Sequence, residues 1–416
     1  MNAEEGSRSA FSSLPLDIYD LLVEAVTLLP PVVSTATLLS LCRVSRAWCA
    51  AAQPALFRMP FLPFGSPDTT PPRTYSRLQS LLETLHRRPD LAALVRSFDL
   101  GRYTARCIAE VKVDRRLVSP LSIELVKACP NLREATVPFV VQAEKGSLVE
   151  ALQRLSVLES FSLGEGVSIV DPWVVNVDIA VKDSWGTAVF TRRDLAALAQ
   201  SWPLLRRFIL QARVRGLDAD EVIPWELESF ELSLLKNFKL SFPYLDKLLS
   251  NCRTTSSLRR LIVREHQLHP TDLVQLVEAY GDSLEVVETF TANRFAPNEP
   301  LLAAIAASCP NLRRLRLGTP LYDLPSALHH LSQLPKLRWI ALDTVLCNPR
   351  GEEATSTGVA EQVRAFPALR YLSFAPGCHV ETEADVERFR RFEWQLRELR
   401  EELAGEIEVV LYPQFT

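Results

Sequence analysis

Apolar positions recur along most of the chain in the order Leu-x-x-Leu-x-Leu, usually with Arg or Glu after the first apolar residue. Alternation of this kind is typical of a half-buried strand. The starts lie between 22 residues (Leu205 to Leu227) and 47 residues (Leu158 to Leu205) apart. The segments begin at Val95, Leu132, Leu158, Leu205, Leu227, Leu258, Leu312, Leu337 and Leu369, with a weaker one at Leu284.

Helical runs that end at a proline precede several of these strands. The phrase CPNLR at Cys129–Arg133 recurs at Cys309–Arg313, which indicates a true repeat. One helix and one strand cannot bury their own apolar faces, but stacked neighbours can. We therefore predict a stacked array with a parallel sheet, with helices at Leu121–Cys129, Leu195–Trp202, Leu301–Cys309 and Val359–Phe366.

The pattern before residue 60 is different and predicts three short helices. Ile18, Leu21, Leu22 and Ala25 recur at helical spacing, and Pro30-Pro31 ends that first helix. We expect Thr35 or Thr37 to cap the second helix and Ser45 to cap the third. So small a unit has a marginal core and more large apolar side chains than it can hide, which indicates a partner surface.

Four motifs of this stretch stand in the order of a known family. They are Leu14-Pro15 with Ile18, then Leu38-Leu39-Ser40-Leu41, then Val44-Ser45-Arg46-Ala47-Trp48, and finally Leu56-Phe57. The stretch resembles an F-box, which implies docking on a Skp-type adaptor and, through it, on a cullin. Carried over position by position, the adaptor-binding residues are Leu14, Pro15, Ile18, Leu41, Val44, Ser45, Trp48, Leu56 and Phe57. The alternative is an ordinary three-helix subdomain that packs on the rest of the chain, and Trp48 suits a core as well as an interface.

The later segments resemble degenerate leucine-rich repeats, although the Asn/Cys position of regular repeats is not filled consistently. Together the two resemblances imply an α/β fold, in which a three-helix F-box precedes a leucine-rich-repeat solenoid with a curved parallel sheet and outer helices. The expected boundaries are a disordered tail at 1–10, the F-box at 11–60, a Pro-rich linker at 61–76, the solenoid at 77–380 and a capping helix and strand at 381–416.

Two segments break the repeat. Gly164 to Val189 is rich in Val and is interpreted as an insertion, either a binding element or an ornament. Glu381 to Glu408 has apolar residues at helical spacing and predicts an amphipathic helix that caps the array, with a coiled-coil partner helix as the alternative.

Composition limits the classes of partner and the cellular compartment that we expect. The net charge of -4 gives no case for nucleic-acid or acidic-membrane binding. The eight cysteines form no C-x-x-C pair, so we expect reduced structural thiols and a cytoplasmic or nuclear protein. We expect no secretory signal, because the first ten residues lack an apolar run, and no membrane span.

No catalytic constellation is present in the sequence. P-loop, GxGxxG and G-x-S-x-G motifs are absent, and His266-x-x-His269 has no third ligand at a metal spacing. Asp218 and Asp220 lie in a polar stretch that favours a solvated turn. We therefore expect no cofactor, no metal and no enzymatic activity.

The x positions of the repeat should face the concave surface of the sheet, and many of them hold Arg. We hypothesise that an acidic or phosphorylated partner segment binds there, since Arg and aromatic residues are enriched at binding hot spots. The alternative is that these arginines pair with neighbouring Glu residues. The candidate substrate-binding residues are Arg207, Arg260, Arg314, Arg316, Trp339 and Tyr371.

The function that the sequence favours is the substrate receptor of an SCF-type ubiquitin ligase, which holds an unknown protein substrate near enzymes supplied by other subunits. One rival is a non-ligase interaction scaffold. The other is an enzyme whose site assembles only in the fold, which a deep pocket of convergent polar groups would indicate.

Overall fold

The structure is a computed structural model of the chain. It describes residues 15–60, 73–99, 115–137, 142–164, 190–211, 214–215, 223–232, 242–263, 269–289, 299–318, 324–344, 356–376 and 383–411. These fall into two compact units, one formed by described residues up to 164 with 201–204, and one by residues 190–200 and 205–411. Leu14, the first ten residues, the predicted insertion after Gly164 and residues 61–72 of the predicted linker lie outside the described residues, whereas residues 73–76 of that linker are helical.

The first unit contains seven helices and three strands among its described residues. The helices are α1 (Leu16–Thr27), α2 (Pro31–Val44), α3 (Arg46–Arg58), α4 (Arg73–Arg87), α5 (Pro89–Ala92), α6 (Arg115–Ala128) and α7 (Lys145–Gln153). The strands are β1 (Ser97–Asp99), β2 (Glu134–Val137) and β3 (Ser160–Gly164), which pair in parallel in that order.

Helices α1, α2 and α3 pack around a small core of Val23, Leu38 and Ala52. Ser45 caps α3 as predicted, because its Oγ accepts a hydrogen bond from the Trp48 amide at 3.3 Å. The predicted cap at Thr35 or Thr37 was wrong. Helix α2 begins at Pro31, where a missing N–H is tolerated, and the Thr37 hydroxyl donates to the Val33 carbonyl inside the helix.

The second unit repeats one helix and one strand. Its helices are α8 (Arg192–Ser201), α9 (Phe242–Thr255), α10 (Pro270–Tyr280), α11 (Glu299–Ser308), α12 (Leu324–Leu331), α13 (Ser356–Arg364) and α14 (Glu383–Glu402). Its strands are β4 (Phe190–Thr191), β5 (Arg207–Gln211), β6 (Val214–Arg215), β7 (Ser229–Leu232), β8 (Arg260–Val263), β9 (Val286–Thr289), β10 (Arg314–Leu317), β11 (Trp339–Thr344), β12 (Tyr371–Pro376) and β13 (Glu408–Leu411).

Strands β5 and β7 to β13 form a parallel sheet in chain order, and β4 pairs separately with β6. The apolar residues of the repeat are its core, as Leu258, Leu261 and Val263 illustrate. Parallel strands that follow one another in sequence need a crossover between them, and helices α9 to α14 supply the crossovers from β7 to β13. The predicted helix–strand repeat with a parallel sheet is confirmed, whereas the domain boundaries stay a prediction.

A forked backbone contact sets the register between repeats. The amides of Arg259 and Arg260 both donate to the Glu228 carbonyl, at 2.9 Å each, and the same fork recurs at the starts of β2, β3, β7, β9, β10, β11 and β12. The first repeat receives an equivalent contact from the three-helix segment, since the Arg96 amide donates to the Arg58 carbonyl at the end of α3 at 2.8 Å. The end of helix α3 is therefore bonded to the residue that precedes the first strand by one of the two hydrogen bonds that make up the fork.

The CPNLR phrase has the same structural role in both units. Cys129 and Cys309 are buried after a helix, and the Asn two residues later donates to a backbone carbonyl of the preceding repeat. Asn131 bonds the Ala93 carbonyl at 2.9 Å, and Asn311 bonds the Asp282 carbonyl at 2.8 Å. The phrase is thus a link between consecutive repeats.

Helix α14 has the amphipathic face that its sequence predicts. Leu396, Leu399 and Leu403 are buried, and the helix packs on α13 and β13 at the end of the second unit's sheet. This packing supports the capping interpretation over the coiled-coil one. No described helix is both long and apolar enough to cross a bilayer.

Candidate protein-binding surfaces

A set of large apolar side chains on α1, α2, the turn between them and the end of α3 is exposed. Leu28 is 84% exposed, Val44 65% and Leu21 64%. Elsewhere in the described parts of the chain, only Leu204, Tyr371 and Trp394 are large apolar side chains of comparable exposure. We call this set the apolar helix surface; it comprises Ile18, Leu21, Leu22, Leu28, Leu29, Val32, Val33, Leu39, Val44 and Met59.

Helix α1 presents apolar residues on two sides. Tyr19 and Val23 are buried inside the three-helix segment, whereas Leu21 and Leu22 point away from it. The stripe recognised in the sequence, Ile18 with Leu21 and Leu22, is therefore the exposed stripe. A helix that is apolar on two sides needs a second packing partner, because exposed patches of this kind mark interaction sites.

The structure divides the predicted adaptor-binding residues into an exposed and a packed group. Pro15, Ile18 and Val44 are exposed. Leu41, Trp48 and Leu56 pack against the small core, and the Trp48 ring meets the Tyr19 ring edge-on with centroids 4.5 Å apart.

The remaining predicted positions have other surroundings. Phe57 is half-buried, Ser45 caps α3, and Leu14 lies outside the described residues. Sequence reasoning missed Leu28, Leu29, Val32 and Val33, although the run Leu28-Leu29-Pro30-Pro31-Val32-Val33 is a visible apolar cluster around a helix break. Such a cluster has no periodicity that would mark it as a core face.

A second candidate surface lies on the sheet of the second unit, on the side away from the leucine rows. Side chains alternate along a strand, so residues in register on neighbouring strands form rows on one face. The outer row crosses eight strands and consists of Arg207, Ser229, Arg260, Val286, Arg314, Trp339, Tyr371 and Glu408. The inner row, two residues further along each strand, includes Glu231, Glu288, Arg316 and Ser373.

All six predicted substrate-binding residues lie on this face, but they differ in access. Arg207, Arg260 and Arg314 are partly exposed, Trp339 is half-buried and Tyr371 is 45% exposed. Arg316 belongs to the inner row and is buried. The structure therefore brings five of the six to the accessible outer row and leaves Arg316 beneath it.

Buried carboxylates of the inner row pair with the outer-row arginines. Glu288 lies 3.5 Å from both Arg260 Nη2 and Arg314 Nε, on the strands to either side of it. Glu231 lies 3.8 Å from Arg207 Nη2. The Arg314 guanidinium also lies over the Trp339 ring, 4.1 Å from its centroid. The alternative that the arginines pair with neighbouring Glu residues thus describes part of this face.

A third row, at the first x position of the repeat, carries alternating charge. Arg133 pairs with Glu159 at 3.1 Å in the first unit. In the second unit, Glu285 pairs with Arg259 at 3.3 Å and with Arg313 at 3.5 Å. We call this the edge row; in the second unit it comprises Arg206, Glu228, Arg259, Glu285, Arg313, Arg338 and Arg370.

The described cysteines are buried or half-buried thiols without disulfides. Burial raises the pKa of the Cys129 thiol to about 12 and that of Cys309 to about 12, so both are held as neutral thiols at ordinary pH. His269 caps α10 through a ring nitrogen 3.4 Å from the Thr271 amide. Its predicted companion His266, the pair Asp218 and Asp220, and the cysteines Cys107, Cys347 and Cys378 lie outside the described residues.

The described residues contain no group of three or more His, Cys, Asp or Glu side chains that could hold a metal ion. The apolar helix surface and the sheet surface are the two candidate sites for a partner. One is apolar and helical, and the other is charged and aromatic.

Comparisons with known proteins add little to this geometry. No protein-family model matches the chain, and no curated protein matches it. A solved structure to which the chain is similar is the leucine-rich repeat-containing protein LegL7 from Legionella pneumophila, with 12% sequence identity and a TM-score of 0.39. That match covers 76% of this chain and 82% of the other.

Proposed function

We propose that this protein is the non-catalytic substrate receptor of an SCF-type ubiquitin ligase. Its three N-terminal helices would bind a Skp-type adaptor, and through it a cullin, while its repeats would bind the protein to be ubiquitinated. Two linked binding sites raise the effective concentration of the substrate near the conjugating enzyme, so the chain itself needs no nucleophile.

The observation that carries the proposal is the apolar helix surface. Ordinary packing of a three-helix subdomain on the repeats accounts for α3, whose end is bonded to the residue that precedes the first strand. It does not account for Leu21, Leu28 and Val32, which belong to α1, α2 and the turn between them and remain exposed. The F-box resemblance supplies the identity of the missing partner.

The test is co-expression of the full chain with a Skp-type adaptor and measurement of co-purification. A Leu21→Glu/Leu22→Glu variant places charges on the apolar helix surface, and Leu204→Glu places one on an exposed leucine elsewhere. We expect the wild type and Leu204→Glu to retain the adaptor and the double variant to bind it about 100-fold more weakly, since two charges are placed in an apolar interface.

Circular dichroism shows whether the double variant is folded. We expect it to fold, because both leucines are exposed. Failure of the wild type to retain the adaptor, or full retention by the folded double variant, would contradict the proposal. A complex that contains adaptor but excludes added cullin would favour the scaffold function instead.

A further inference from the structure

The alternation of charge in the edge row ends after Glu285. Up to that point Arg and Glu follow one another, and then three consecutive repeats carry Arg313, Arg338 and Arg370. Arg313 pairs with Glu285. Arg338 and Arg370 are exposed, and neither has a carboxylate within 4.0 Å among the residues that the structure describes. Among the described residues, positive charge is therefore in surplus at this end of the sheet.

Aromatic side chains follow the two surplus arginines in sequence. Trp339 comes directly after Arg338, and Tyr371 directly after Arg370. The two aromatic residues are in register on neighbouring strands, and Arg314 is in register with Trp339 on the other side. We call Arg314, Arg338, Trp339, Arg370 and Tyr371, which stand at the beginnings of the three neighbouring strands β10, β11 and β12, the basic aromatic patch.

Arg314 is held in place within this patch rather than neutralised. Its side chain remains 42% exposed although Glu288 lies 3.5 Å from its Nε, and it shares that single carboxylate with Arg260. Two guanidinium groups against one carboxylate leave one net positive charge. The Arg314 guanidinium lies 4.1 Å from the centroid of the Trp339 ring, a cation–π contact that restrains the side chain, and a guanidinium can bind a carboxylate through two parallel hydrogen bonds.

We infer that the basic aromatic patch binds an extended acidic segment of a partner protein, through Asp or Glu carboxylates on its arginines and an aliphatic side chain against Tyr371. Charge complementarity selects this occupant. The chain as a whole carries a net charge of -4, which disfavours a nucleic-acid backbone as the occupant. Glu408, the next member of the outer row after Tyr371, limits the patch on that side.

This inference deepens the proposed function, because the bound segment would belong to the substrate and the inference names its chemistry. It also revises the set of residues that the sequence suggested. Arg207 is partnered by Glu231, and Arg316 is buried, so both are excluded. Arg338 and Arg370 are added, because they are exposed and lack a described acidic partner.

The test is fluorescence anisotropy of the full chain with a fluorescein-labelled peptide in which Glu alternates with Ser around a central Leu. We expect Arg338→Glu/Arg370→Glu to weaken binding about tenfold at low salt, and Tyr371→Ala to weaken it by a smaller factor. The matched control is Arg193→Glu/Arg397→Glu, which makes the same change in net charge at exposed helix arginines with no described acidic partner. Binding by this control should equal that of the wild type.

Three outcomes would overturn the inference. The first is equal weakening by the control variant, which would indicate non-specific electrostatics. The second is equal binding of a twin peptide with Gln in place of Glu. The third is binding of a phosphoserine twin or a single-stranded oligonucleotide without binding of the Glu peptide. The assay contains no adaptor, so its failure is separate from failure of the co-purification test.

Discussion

The two candidate surfaces differ in how far the chain satisfies them itself. The exposed leucines and valines of α1 and α2 have the small core of the three-helix segment on one side only. The arginines of the second unit's sheet are instead partly neutralised by carboxylates of the same face, Glu231 and Glu288. An apolar surface therefore predicts a partner through its mere exposure, whereas a charged surface predicts one only through the charge that remains after internal pairing.

This difference determines which residues of each surface are candidate contacts for a partner. Every member of the apolar helix surface is a candidate contact, because water is a poor environment for all of them. Most arginines of the sheet are poor candidates, because exposed ion pairs contribute little and are already formed. The useful residues are Arg338 and Arg370, which are the exceptions to the alternation, together with Arg314, which shares one carboxylate with Arg260.

The largest expected effect separates packed from exposed apolar residues within the three helices. Trp48→Ala removes a ring that packs on Tyr19 and the small core, and we expect it to lower the free energy of unfolding by about 4 kcal/mol. Leu28→Ser changes a side chain that is almost fully exposed and should shift it by less than about 0.5 kcal/mol. Urea unfolding followed by circular dichroism measures both values.

A large loss of stability from Leu28→Ser would mean that the turn between α1 and α2 packs within the chain. The comparison of the two surfaces would then fail, since the apolar helix surface would be satisfied internally.

A somewhat smaller effect separates paired from surplus arginines. Arg260→Met/Arg314→Met leaves the buried Glu288 carboxylate without its two cations, and we expect a loss of about 3 kcal/mol in the free energy of unfolding. Arg338→Met/Arg370→Met removes the same number of charges from exposed positions and should change it by less than about 0.5 kcal/mol. Thermal and urea unfolding of both variants under identical salt conditions measure the difference.

Equal losses in the two double variants would show that Arg338 and Arg370 are structural. That result would remove the argument for a charge surplus at this end of the sheet.

The sequence predicts the repeating elements well because their signal is local. The leucine pattern marks the strands, and the prolines after Cys129, Trp202, Cys309 and Phe366 mark the helix ends. Steric and hydrogen-bonding rules act over a few residues, so both are visible in one sequence. The N-cap at Ser45 is visible for the same reason, whereas the misplaced cap on α2 arose because proline as a starting residue competes with threonine.

The candidate surfaces depend on information that is not local. Helical spacing identifies the stripe of Ile18, Leu21 and Leu22, but it does not indicate which of two apolar stripes on α1 faces the core. The ion pair of Glu288 with Arg260 joins residues 28 positions apart in the sequence, and it depends on the register of their two strands. A change of register by one residue would move every one of these side chains to the other face.

The smallest expected effect tests whether one sequence phrase acts alike in both units. Asn131→Ala and Asn311→Ala each remove a side-chain hydrogen bond to a carbonyl of the preceding repeat, worth about 1 kcal/mol. We expect the larger loss for Asn131, because its hydrogen bond is partly buried, whereas water replaces the missing donor more readily at the exposed hydrogen bond of Asn311. Urea unfolding of both variants measures the two losses. A larger loss at Asn311 would contradict this ranking. It would indicate that Asn311 stabilises the protein mainly through its Oδ1, which accepts a hydrogen bond from the Lys336 ammonium at 2.6 Å. Lys336→Ala would then reproduce that loss.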